Sequence, residues 1–180
     1  MSGTTGNRGY VYPTLADAND VPYYLQALAE ALDLDVQSLD NTTLKKVGFT
    51  VAGIFNLQAT AIADVAAPAL TTTFNSIAGH RYRITLTVKT SSSVVTDVAG
   101  IEVAVQGADI AGFSKPANSS PNTANTGHDH VLIAYYTAPT TLSGTTVTVK
   151  FNRALGTGVV RLLSEAQAPA SLLVEDMGPA

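Results

Sequence analysis

Apolar and polar positions alternate along this chain with two different periods, and the change from one to the other divides it. Val21, Leu25, Leu28 and Leu32 recur at intervals of four, three and four. That stripe predicts a short helix buried along one face, capped by Asn19 or Asp20 with Pro22 tolerated in its first turn. From Phe49 onward the period falls to two. In the run from Arg81 to Lys89, Tyr82, Ile84, Leu86 and Val88 fall on one side while Arg81, Arg83, Thr85, Thr87 and Lys89 fall on the other. This predicts a half-buried strand with one wet face.

Further strands are expected over 101–105, 131–136, 145–151, 159–163 and 171–174, with weaker ones over 49–57, 58–62 and 70–74. Val103, Val105, Val147 and Val149 join Tyr82, Ile84, Leu86 and Val88 as the expected inward set. Gly, Pro and Asn punctuate these segments, and no helical pattern separates them. The expected fold is therefore mainly β: an antiparallel, jelly-roll-like β-sandwich preceded by an extended N-terminal arm and one short α-helix. Residues 1–20 form the arm, 21–45 the helical segment and linker, and 46–180 the sandwich. The arm is rich in Gly, Thr and Asn around Tyr10-Val11-Tyr12-Pro13 and has no core of its own. The polar stretch from Gly112 to Gly127 is expected to be a long exposed loop.

Composition narrows the function. Of 180 residues only 13% are charged while 46% are hydrophobic, so much of the polarity comes from neutral hydroxyls and amides, as in Thr/Val-rich β-proteins. The net charge of −4 and the scattered cations argue against a nucleic-acid partner, which would need clustered Lys and Arg. The absence of Cys excludes disulfides, zinc–thiolate sites and thiol nucleophiles. No apolar run approaches the ~18 residues of a membrane span, and the start of the chain lacks the pattern of a secretory signal, so no membrane partner is expected.

The strongest local cue for chemistry is Gly127-His128-Asp129-His130. On a strand His128 and His130 project from one face, and three copies around an axis could offer six imidazoles to one metal; the competing reading is a solvated or hydrogen-bonded pair. No single-chain metal set is expected, because His80 is the only other histidine and no H-E-x-x-H spacing occurs. No nucleophile elbow or phosphate loop is present, and Glu102 is expected on a wet face beside inward Val103. The chain is thus expected to be non-enzymatic and to need no cofactor. Tyr10, Tyr12, Val21, Leu25, Leu28 and Leu32 are the candidate subunit interface, the alternative being that they pack on their own domain.

Three segments carry a family resemblance. The first runs from Tyr12-Pro13-Thr14-Leu15 through Asp20-Val21-Pro22-Tyr23-Tyr24-Leu25-Gln26-Ala27-Leu28-Ala29-Glu30-Ala31-Leu32-Asp33. The second is Ser76-Ile77-Ala78-Gly79-His80-Arg81-Tyr82-Arg83-Ile84, and the third Ala170-Ser171-Leu172-Leu173-Val174-Glu175-Asp176-Met177-Gly178-Pro179. Together they resemble small structural proteins of tailed bacteriophages, especially those of actinobacteria. The resemblance implies a virion protein released by lysis, of minor tail or fibre type or alternatively a capsid decoration protein held by its arm. It also implies homo-oligomers, often homotrimers, with other virion proteins as partners, and it carries over no functional residues. A reading from another class is a carbohydrate-binding module that touches a host-surface glycan; the absence of Trp weakens it.

Overall fold

A computed structural model describes residues 3–4, 11–12, 25–34, 44–118 and 122–180. The chain separates into two units, residues 1–43 and residues 44–180. In the first, β1 (Gly3–Thr4) pairs antiparallel with β2 (Val11–Tyr12), and a helix, α1, spans 25–34. Leu25, Leu28 and Leu32 lie on α1 at the spacing expected of a single stripe; Leu25 and Leu32 are exposed and Leu28 half-buried. Of the other candidate interface residues, Tyr10 and Val21 lie outside the described residues, as do the side chain of Tyr12 and the capping positions 19–24.

The second unit is an antiparallel β-sandwich. Its strands are β3 (Lys45–Val51), β4 (Phe55–Ala59), β5 (Val65–Ser76), β6 (His80–Ser92), β7 (Val98–Val105), β8 (Ala108–Pro116), β9 (His128–Thr137), β10 (Leu142–Leu155), β11 (Val160–Ser164) and β12 (Ser171–Pro179). One sheet runs β5-β10-β7-β8. In the other, β6 pairs along one edge with β9, and along the opposite edge with β12 over residues 80–87 and with β11 over 89–92. β3 flanks β12 and β4 flanks β11. Leaving aside the β4–β11 excursion, β3-β12-β6-β9 faces β5-β10-β7-β8, the arrangement of two interlocked Greek keys that makes a jelly roll.

Alternation places the core. Tyr82, Ile84, Leu86, Val88, Val103, Val105, Val147 and Val149 are all buried, as expected, and Leu70, Ile101, Phe151, Leu162 and Leu172 complete the layer between the sheets. Each such side chain contributes about 1.5–3 kcal/mol on leaving water. Phe74 packs on Tyr82 at 4.7 Å between ring centroids, and the Ile77 amide donates to the Tyr82 hydroxyl at 2.8 Å, so one tyrosine ties the β5–β6 turn to the core. Between β7 and β8, Gln106 (φ 51°) and Gly107 (φ 83°) form a two-residue turn with both central residues left-handed, which suits the twist of a tight hairpin.

Two expectations are corrected. The segment 49–57 is not one strand: β3 ends at Val51 and a new strand begins at Phe55, after a break over Ala52-Gly53-Ile54. The polar stretch beginning at Gly112 is not wholly loop either, because β8 continues to Pro116. β8 is an edge strand whose partner β7 supplies its ladder, so small and polar residues suffice there.

Candidate functional site

Three regions hold the residues that the sequence singles out. The first is one end of the sandwich, where the loops after β6, β8 and β10 meet. Asp97, fully buried, accepts from the backbone N–H groups of Thr157 (3.0 Å) and Gly158 (3.2 Å) and from the Ser92 hydroxyl. Asn118 accepts from the Ser92 amide at 2.8 Å and donates to the Val94 carbonyl at 3.0 Å. A side chain at Gly156 or Gly158 would drive a Cβ to within 2.0 or 2.4 Å of the Asp97 carboxylate, so both positions require glycine. These contacts tie the end of β6 and the loops after β6, β8 and β10 to one another. The network fixes the loops and aims no reactive group outward.

His128 lines a shallow cleft over this network with Val95, Thr96, Val98, Pro116 and Asn118. His130 is 7% exposed, and its Nε2 lies 2.8 Å from the Thr90 hydroxyl. Burial, followed by the neighbouring His128, lowers its pKa to about 4, so it is neutral at physiological pH. The two imidazoles do share a face, with centroids 4.8 Å apart, but it is the inner face of β9. A metal shared on an axis between copies needs imidazoles that face the neighbours; His130 instead faces Phe113 and Thr90 inside its own sandwich.

The second region is the outer face of β5-β10-β7-β8. Carboxylate oxygens of Asp64, Glu102 and Asp109 lie within 4.8 Å of one another. Burial, followed by Asp64 and Asp109, pushes the Glu102 carboxyl above its ordinary range. The Lys150 ammonium is 2.6 Å from Asp109, and Asn152 donates to Asp64 at 2.7 Å. Glu102 thus points away from the core, opposite Val103, as expected. Lys150 already supplies the cluster with a counter-charge.

The third region has no precedent among the candidates drawn from the sequence. Across the outer face of β3-β12-β6-β9, directly paired residues form rows. Phe49, Leu173, Thr85 and Ile133 make one; Val51, Ser171, Thr87 and Val131 make the next. Glu175, Arg83 and Tyr135 make a third, with the Arg83 and Glu175 side chains 2.8 Å apart. Val131 is 65% exposed and Ile133 52%; Phe49, Val51 and Tyr135 are also exposed. A cation stands over each aromatic ring, Lys46 at 3.7 Å above Phe49 and Arg81 at 4.5 Å above Tyr135. Tyr135 and Tyr136 take opposite faces, as alternation requires, Tyr136 packing inward on Tyr82. The sequence signal for this face was the unbroken apolar run Val131–Tyr136, which leaves neither side of β9 polar.

The exposed apolar side chains thus lie on the two flanking strands, β3 and β9, with Thr85, Thr87 and Ser171 between them.

No protein-family model matches the chain, and no curated protein matches it. Among solved structures, the chain is similar to the infectious bursal virus T=1 particle protein at 10% identity and TM-score 0.42, over 73% of this chain and 36% of that one. It is similar to the insecticidal delta-endotoxin Cry8Ea1 of Bacillus thuringiensis at 11% identity and TM-score 0.41, over 66% and 19%. A family 35 carbohydrate-binding module from Clostridium thermocellum aligns at 7% identity and TM-score 0.37, over 69% and 96%. The chain thus spans well under half of the toxin and viral chains, and nothing about their binding or assembly passes to it from likenesses this distant.

Proposed function

We propose that this chain is a non-enzymatic structural subunit of a bacteriophage particle, of minor tail or fibre type, that assembles with copies of itself and with other particle proteins. One observation carries the reading: on the outer face of β3-β12-β6-β9, Phe49 and Val51 of β3 and Val131, Ile133 and Tyr135 of β9 expose apolar surface on a rigid jelly roll, which suits it to being covered by another protein. The exposed leucines of α1 and the sequence resemblance point the same way. A carbohydrate-binding role fits less well. Phe49 and Tyr135 sit on opposite sides of the patch, and each has a cation over its ring where a sugar would stack.

Imaging of the particle with this chain labelled is the test. A few multiples of three copies on the tail supports the proposal, and hundreds of copies on the head makes the chain a decoration protein instead. Absence from the particle, or specific retention on a glycan array by a chain that stays monomeric in light scattering, overturns the structural reading.

A further inference from the structure

Resting on the reading of this chain as an assembly subunit, we propose that the outer face of β3-β12-β6-β9 receives α1 of a neighbouring copy, so that subunits join head to tail. Size is the first argument. The patch is four strands wide, about 14 Å, and its two rows with apolar residues lie about 7 Å apart, with the Arg83–Glu175 pair closing one end. α1 has ten residues, about 15 Å of helix. One helix fills the patch, whereas a second sheet would leave its own edges hanging over it.

Charge is the second argument. Residues 9–44 contain six carboxylates, Asp17, Asp20, Glu30, Asp33, Asp35 and Asp40, and no Lys or Arg. The receiving face is edged by Lys46 and Arg81, both held over the rings of the patch. Glu30 and Asp33 of α1, with the carboxylates that flank it in sequence, would meet the cations at the rim, while its leucines meet Phe49 and Val51 of β3 and Val131 and Ile133 of β9. Pairing two copies of the face with each other would instead bring like cations together. Pairing helices in a bundle would gather their carboxylates.

Chemistry is the third. Leu25, Leu28 and Leu32 form a stripe of the width that a flat apolar surface buries, and Leu25 is 59% exposed. One helix on one face makes a small contact. In a closed ring each subunit donates one helix and receives another, which doubles the contact per subunit and ends growth. A ring of three satisfies this.

The absence of native cysteine makes the test clean. Two full-length variants, Leu28→Cys and Ile133→Cys, are prepared separately, one carrying a size tag, then mixed and oxidised mildly. The expected result is a covalent heterodimer in the mixture, exceeding by roughly tenfold or more the dimer formed by either variant alone, because only helix on face holds the two thiols together. Cross-linking of Leu28→Cys with itself would mean a helix bundle, and of Ile133→Cys with itself a face-to-face pair; either overturns the proposal. So does a chain carrying both substitutions that closes on itself at high dilution. If light scattering shows an oligomer but no pair cross-links, the inference fails and the subunit reading stands. A monomer at every concentration removes self-assembly along with it.

Discussion

Single side chains decide how the loop end of the sandwich holds. Asp97 bridges the loops after β6 and β10 by accepting two backbone N–H groups and one hydroxyl. Asp97→Ala removes the acceptor and strands those donors in a dry site, which is expected to cost about 2–4 kcal/mol in urea unfolding. His130 contributes a pH dependence. Its folded pKa, about 4, lies below that of an unfolded histidine, so the unfolded chain binds more protons between the two values. The stability it confers is complete above about pH 6.5 and is lost as pH falls toward 4, by an amount on the order of 3 kcal/mol. Urea unfolding of the native chain and of His130→Gln, each at pH 7.5 and 4.5, should show a smaller pH loss in the variant. An equal loss in both would assign the effect to carboxylates.

At the scale of elements, legibility followed polarity. β6 is legible in the sequence because Arg81, Arg83, Thr85, Thr87 and Lys89 mark one side of it as polar against four buried neighbours. β8 is hard to read because Ala108–Pro116 lacks regular alternation: Ile110, Ala111 and Phe113 pack inward on an edge strand whose ladder shifts register between Val103 and Ala104. The receiving face is hard to read for a different reason. Over 131–136 of β9 both faces are apolar, so alternation gives no signal there. The direction of His128 and His130 depended on which side of β9 meets the core, and spacing alone fixes only that they share a side. An exposed apolar strand at a sheet edge is an aggregation hazard unless covered, and both β3 and β9 are edges here. Ile133→Asp is expected to leave the unfolding midpoint within about 0.5 kcal/mol of native, since the side chain is half in water, while shifting light scattering from oligomer to monomer. A large fall in stability would show that the face supports the fold rather than the assembly.

For the whole molecule, charge and topology add what local patterns do not. Residues 1–43 carry six carboxylates and one arginine, whereas residues 44–180 have nearly balanced charge. Leu28→Asp adds a seventh carboxylate to the first unit and places it in the stripe. It is expected to dissociate the oligomer while circular dichroism still shows a folded sandwich, and loss of the β signal would place α1 in the core instead. The order of strands has a further consequence, in time rather than in space. β12 lies between β3 and β6, joining residues more than a hundred positions apart on one side and about ninety on the other. Such pairings make folding slow, because the chain must close large loops before contact offsets their entropy. During synthesis the sheet that bears the receiving face cannot be completed until Ser171–Pro179 has left the ribosome. β3 and β6 wait with open edges until it does. A chain stopped after Ser164 would therefore lack the middle of the face, and when co-expressed with intact copies should fail to receive their α1 while still offering its own. Topology thus makes the receiving surface available only once β12 has been translated and paired.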